Sequence, residues 1–369
     1  MFIWLFRISV VSALLAMSTL TIWGGRKKQD QPKPQVLPLP KPLPMVLTAD
    51  TASLSFRVTP LLRSGRLTAQ IKESLTYLVR ETHGETIVRL RAFVAGAGDS
   101  RRVQELVSDI FAEKRLALPV LTIVQVGDLG DTAAAVVLEA VISGKKPVNP
   151  AGLAFFAGQN GPSLDAALSK LQNSLQTVSL SAADVVSTTC FAARLTDVDS
   201  MRKAIGMAFP HAALNVVQPT REPIDASTTC EAVARIPAER AEVKSATLTG
   251  SRVFFMTSPQ IVFTGMQLSF GTYLDDADSA LARLQHDVTT VNANLREAAV
   301  IDAFTLSPAA ASALRKTMPK FEVSQAILTV QPVEGLPSLD AAMGLEVILA
   351  PTPGTASARV HQQQPALSN

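Results

Sequence analysis

Three glutamates, Glu139, Glu231 and Glu346, occupy the same place in three look-alike segments, AAAVVLEAVI, STTCEAVARI and AAMGLEVILA. A carboxylate near the end of an apolar, strand-like run can accept hydrogen bonds from a ligand or hold a water. It can equally be structural, paired to a neighbouring backbone or to a basic residue such as Arg89 or Arg91. The structural reading is preferred, because a buried carboxylate must be satisfied. Other chemistry has little support. His83, His211, His286 and His361 are scattered without metal-ligand spacing, so no metal site is expected. Gly96-Ala97-Gly98 matches only a fragment of a dinucleotide fingerprint, and Asp99 behind it reads as a helix cap. No serine or cysteine carries a neighbouring base signature, and no cofactor is implied. Cys190 and Cys230 could pair as a disulfide if the body is exported, but two buried small hydrophobes are the preferred reading.

Three copies of a block of about 90 residues must position these groups, and a repeat that long is a domain rather than a solenoid unit. Each copy closes on two strand-like runs: PVLTIVQV and AAAVVLEAVI, AALNVVQP and STTCEAVARI, AILTVQP and AAMGLEVILA. In the second copy GLAFFAGQ (152–159) is strand-like, SLDAALSKLQNSLQTV (163–178) has helical spacing, and DVVSTTCFAARL (184–195) is β-branched. Thr196 and Asp199 are candidate caps for a helix through Met207. The first copy repeats this order with a helix at 67–80, strand ETIVRLRAFVAG and a helix at 100–114. The third has strand QIVFTGMQLSFG, a helix at 276–292, strand EAAVIDAFTL, and Ser307-Pro308 opening a short helix. Two amphipathic helices over strands apolar on both sides give an α+β sandwich, helices on one sheet face. The other face must also be covered, and three copies can cover one another.

Composition limits the function. The chain of 369 residues is 47% hydrophobic and 18% charged, enough for two or three globular domains. Its net charge is +3, yet Arg7, Arg26, Lys27, Lys28, Lys33 and Lys41 against Asp30 place the basic surplus in residues 1–45, leaving the body about −2. A body without a basic surface argues against a nucleic-acid partner. The uncharged run Ile8 to Trp23, counted with Met1 to Phe6, would make a helix of roughly 35 Å, long enough to cross a bilayer. Ala16-Met17-Ser18 would instead suit cleavage of a signal peptide. Arg26-Lys27-Lys28 would orient an uncleaved helix with the body inside, while export or anchoring at the cell envelope is preferred. QPKPQVLPLPKPLP (31–44) reads as a semi-rigid polyproline spacer of ~45 Å, or as an SH3-type ligand. The expected organisation is therefore a signal peptide or membrane anchor (1–25), a proline-rich linker (26–46), domains at 47–146, 150–238 and 250–351, and a polar, disordered tail (352–369).

These segments resemble the RidA/YjgF family, also called L-PSP endoribonuclease-like, with a chorismate-mutase-like fold. The second copy carries it best: FFAGQ looks like the family's strand ending Ser-Gly-Gln, DVVSTTCFAARLTDVDSM like its central strand and second helix, and TTCEAVARI like its final strand. The first copy contributes RLRAFVAGAGDSRRVQ, and the third is the weakest. The family consists of homotrimers with ligand clefts between subunits. The resemblance thus implies one chain supplying all three subunits, an intramolecular pseudo-trimer that is monomeric in solution, with three non-identical clefts.

Family membership usually implies hydrolysis of enamine or imine intermediates to 2-oxo acids and ammonia. That chemistry wants an arginine to clamp the substrate carboxylate and a polar group to hold water. Carried onto this chain, the arginine position falls on Leu121, Leu214 and Leu328, and the water-positioning glutamate on Val137, Thr229 and Gly344. The resemblance places Gly158-Gln159 and Thr264-Gly265 at cleft-lining turns, with Thr59-Pro60 in the first copy, where proline offers no N–H. The ligand-binding candidates are Glu139, Glu231, Glu346, Gly158, Gln159, Thr264, Gly265, Leu121, Leu214 and Leu328. Two readings follow. The preferred one is a catalytically silent Rid-like protein binding a small apolar or weakly polar ligand, or a partner, between its domains. The other is a RidA-type deaminase with a rebuilt active site. A nuclease is not expected.

Overall fold

The computed structural model describes residues 41–50, 54–96, 100–144, 152–220, 227–236, 244–248, 251–256 and 261–351. The apolar head, most of the proline-rich segment, Asp99, His361 and the tail lie outside them. Among the described residues no helix is long and apolar enough to cross a membrane.

Three sheets share one four-strand pattern. Strands β1 (Val46–Asp50), β2 (Leu54–Val58), β3 (Thr86–Ala95), β4 (Val120–Val126) and β5 (Val136–Ser143) come first, with helices α1 (Leu67–Glu81) and α2 (Ser100–Glu113). Next are β6 (Gly152–Gly161), β7 (Val185–Ala192), β8 (Ala213–Val217) and β9 (Thr228–Ile236), with α3 (Leu164–Thr177) and α4 (Val198–Ala208). The hairpin β10 (Lys244–Leu248) and β11 (Ser251–Met256) precedes β12 (Val262–Phe263), β13 (Gln267–Ser269), β14 (Ala298–Thr305), β15 (Ile327–Pro332) and β16 (Met343–Leu349), with α5 (Leu274–Thr289) and α6 (Pro308–Thr317). The common orders are β2-β5-β3-β4, β6-β9-β7-β8 and β12-β16-β14-β15. In each, the last pair is parallel and joined through a helix, the connection a parallel pair requires.

Local chemistry sets the element ends. Ser163 caps α3 by accepting from Ala166 N, and Ser307 caps α6 with Pro308 in the first turn. The cap of α4 is Asp197, which accepts from Ser200 N, rather than Thr196 or Asp199. Helix α5 starts at Leu274 and stops at Thr289, shifted from the 276–292 read by periodicity, because Asp276 folds back onto Tyr273 N and Asn292 adopts positive φ. The single strand expected over QIVFTGMQLSFG is broken: β12 and β13 both pair with β16 but are separated by Thr264–Met266.

Two sheets recruit strands from elsewhere in the chain. Val46–Asp50, next to the proline-rich segment, adds to β6 of the second sheet. Ser251–Met256, at the start of the segment expected as the third domain, adds to β2 of the first. Residues 47–50 thus form the edge strand of the second sheet rather than part of the first, and 251–256, flanked by β10 and β2, belong to the first sheet rather than the third.

The helices cover the outer sheet faces, with Leu75, Leu171 and Leu281 fully buried beneath them. The inner faces cover one another through two shared apolar clusters. One gathers Val141, Phe155, Val300 and Ile348 from the three sheets. The other gathers Phe93, Phe191 and Phe304, whose rings meet edge-on with centroids 6.3 and 6.5 Å apart. Cys190 and Cys230 face each other across β7 and β9 and form a disulfide, which corrects the expectation of two free buried thiols.

Candidate functional site

Between the two shared apolar clusters lies one charged layer. The middle strands β3, β7 and β14 present Arg91, Thr189 and Asp302 at one position, opposite Glu139, Glu231 and Glu346 respectively. The parallel neighbours at that level are Thr122, Asn215 and Thr329. The three glutamates are therefore equivalent, but their counterparts differ. Arg91 is 3% exposed and reaches all three units: Nε donates to Glu231 Oε1 at 3.0 Å, Nη1 to Asp302 Oδ2 at 2.9 Å and to Glu139 Oε2 at 3.2 Å. Arg89 Nη2 also pairs with Glu231. Thr329 donates to Asp302 at 2.8 Å, and Thr189 to Glu346 at 3.2 Å. The Arg91 guanidinium carbon lies 5.9 and 5.7 Å from the ring centres of Phe93 and Phe191, within cation–π reach.

Two arginines face four carboxylates, so full ionisation would leave the layer two charges negative. Burial and the Asp302 charge push Glu139 up to about 8, although Arg91 and Arg89 pull it down. Burial raises Glu346 to about 7, with Arg91 opposing and Asp302 and Glu231 reinforcing. Burial works against Glu231 as well, but Arg89 and Arg91 outweigh it and hold that acid below its ordinary value. Burial opposes the charge on Arg91 too; Glu231, Glu139 and Asp302 outweigh it and raise its pKa. With Glu139 and Glu346 protonated the layer is neutral. Such a group of residues fastens three sheets together, and every glutamate is engaged inside it rather than in a surface site.

The open cavity is elsewhere, a cleft of about 570 Å³ between β4 of the first sheet and β6 and β9 of the second. Leu121, Ile123 and Gln125 form one side, and Gly158, Gln159 and Asn160 the other. Phe191 and Thr229 belong to its lining, and Pro42–Met45, the end of the proline-rich segment, makes a further wall. That wall is pinned at both ends: Ser108 Oγ donates to Lys41 O at 2.9 Å, and Ala157 N to Met45 O at 2.8 Å. A bulge between Phe156 and Gln159 lets Gly158 N leave the ladder and donate to Thr122 Oγ1 at 2.9 Å. Only glycine fits there, since a Cβ would lie 2.8 Å from methyls of both Thr122 and Thr229. Among the described residues, none lining the cleft is charged.

Leu121, Gly158 and Gln159 are brought together in this cleft; the other candidates are not. Leu214 offers its carbonyl to Met266 N at 3.3 Å, beside Gly265, so strand contact occupies that boundary. Leu328 is half-buried against the third unit's helix-side core. Thr264 is bonded within its own sheet to Val347 through both N and Oγ1. Register corrects the third turn: Gln267 opposes Leu345 as Gln159 opposes Cys230, so the counterpart of Gly158-Gln159 is Met266-Gln267, not Thr264-Gly265. The slip arises because the bulge in β6 and the break before β13 insert residues differently. Sequence reasoning missed Asp302 and the wall Pro42–Met45. Asp302 left a signal, an acid inside the apolar run AVIDAFTL, whereas the wall left none.

No family model and no curated relative matches the chain. Among solved structures it is similar to a chorismatase, at 11% identity over 81% of this chain and 99% of that one, TM-score 0.47. It is also similar to a YjgF-family protein from Mycobacterium tuberculosis, at 13% identity over 30% of this chain and 99% of that one, TM-score 0.23. A YjgF-family protein from Neisseria meningitidis matches at 8% identity over 31% and 98%, TM-score 0.23.

Proposed function

We propose that this chain is a Rid-like intramolecular pseudo-trimer whose cleft between the first two units binds a small molecule without turning it over. The observation that carries this reading is the cleft's lining. At the positions where the Rid resemblance asks for a carboxylate-clamping arginine and a water-positioning glutamate, the cleft presents Leu121 and Thr229. An imine substrate's carboxylate would enter without a counter-charge, which is costly away from water. The four interior acids provide no substitute, because in the charged layer Arg91 and Arg89 engage Glu139, Glu231 and Asp302, and Thr189 donates to Glu346.

The deciding measurement is 2-aminoacrylate hydrolysis by the purified protein, expected at the uncatalysed rate; family-like turnover refutes the silent reading. Shared inner clusters and traded strands support one chain acting as the whole assembly, so scattering should report a monomer, and a stable three-chain particle would refute that. The apolar head and the Cys190–Cys230 disulfide support placement at the cell envelope, since disulfides persist in oxidising compartments. Fractionation that returns the protein in the soluble reduced compartment would overturn this placement. The body's slight acidity supports the absence of a nucleic-acid partner, checked by RNA binding at low salt.

A further inference from the structure

The wall Pro42–Met45 crosses from the first unit to the second, and its two ends are held unequally. On the second unit it runs straight into β1, whose five residues pair with β6, and Met45 O accepts from Ala157 N at 2.8 Å. On the first unit it meets helix α2: Ser108 Oγ donates to Lys41 O at 2.9 Å, and half-buried Leu43 packs on the core beneath that helix. Pro42 and Pro44 have no N–H, so half of the wall's residues cannot donate to β4, the outer strand of the first sheet and another lining of the cleft. Strands β4, β6 and β9, by contrast, are held in sheet ladders. The wall can therefore swing away from α2 without breaking a sheet hydrogen bond, pivoting where it joins β1.

We infer that Pro42–Met45 is a strap over the cleft, latched to the first unit by Ser108 and Leu43 and hinged at Met45, and that its release lets the ligand in and out. This rests on the cleft-binding reading above for what passes, and adds how that site opens. The latch is light: one hydroxyl-to-carbonyl bond and one half-buried side chain. The hinge is backed by a five-residue ladder, so opening starts at Lys41 and stops before Val46.

Thiol access on the full-length protein tests it. Both cysteines of the chain are joined in the Cys190–Cys230 disulfide, so a single introduced cysteine supplies the reactive thiol. Ile123→Cys places it in the cleft lining, and Met207→Cys, on the exposed end of α4, is the control. The rate of labelling of Ile123→Cys by fluorescein maleimide follows the population of the open strap. Adding Ser108→Ala should speed it about fivefold, the weight of one ordinary intramolecular hydrogen bond, and adding Leu43→Ser should speed it at least as much. Labelling of Met207→Cys should respond to neither change. A cleft rate left unaltered by both substitutions overturns the strap, and so does an equal rise at Met207→Cys, the mark of general loosening. Either failure leaves the cleft-binding reading standing, since thiol access requires no ligand.

Discussion

Raising the pH should loosen the three sheets by removing protons from the interior charged layer. Glu139 lies at about 8 instead of an ordinary 4.5, and Glu346 at about 7. Both acids hold their protons more tightly in the folded protein than in the unfolded chain. Their stabilisation is complete below about 4.5 and is lost as pH rises through 7 and 8. The displacement of Glu139 corresponds to roughly 5 kcal/mol at about 1.4 kcal/mol per pH unit, and that of Glu346 to roughly 3. Because both acids feel Arg91 and Asp302, the two amounts overlap, and about 5 kcal/mol is the figure to test. Glu231 does not mask the effect: its pKa is lowered, so its contribution disappears only as pH falls below its ordinary range. For a body of this size the loss should lower Tm by roughly 5–10 °C between pH 5 and pH 9. Thermal unfolding by circular dichroism in constant ionic strength reads it directly. Glu139→Gln combined with Glu346→Gln should flatten the profile and leave the variant more stable than the parent at pH 9. A parental Tm that stays constant or climbs over this range, or an unchanged slope in the double variant, would refute the reasoning.

Other perturbations address single features. Arg91→Met should cost about 3–5 kcal/mol in denaturant unfolding, since it leaves Asp302 and Glu139 without their arginine and Glu231 with Arg89 alone. Gly158→Ala should cost about 1–3 kcal/mol in the same assay, and distort the cleft, because the new methyl overlaps Thr122 and Thr229. Reducing the Cys190–Cys230 disulfide, which closes a separation of 40 residues, should lower stability by about 4 kcal/mol on the chain-entropy model, and a Cys190→Ala, Cys230→Ala variant should not respond to reductant.

The repeat, the helices and the inward coverage of the sheets were all legible because each follows from local periodicity. Ser163 and Ser307-Pro308 marked helix starts by their own chemistry, and the glutamates aligned because each terminates a similar apolar run. Arg91 could be named as a glutamate partner on physical need alone. That it would choose Glu231 of another unit ahead of its own cross-strand neighbour Glu139 depends on how three sheets meet, which no local pattern encodes. The same is true of Val46–Asp50: a strand read from its own residues says nothing about which sheet edge receives it. The third turn slipped by two residues because bulges carry weak sequence signals, and Gly158 announces itself only once Thr122 is seen beside it.

The traded strands separate the repeat read in the sequence from the unit that folds. The second segment excised at its sequence borders would leave behind Val46–Asp50 from its own sheet, and the first would leave behind Ser251–Met256 while carrying away residues 47–50 of the second sheet. Isolated copies should accordingly present naked ladder edges, open to pairing with any extended chain, and should aggregate unless the missing strand is supplied in trans. The three sheets are in this sense stitched rather than strung: neither the first nor the second keeps its full set of strands if the chain is cut at the borders of the repeats.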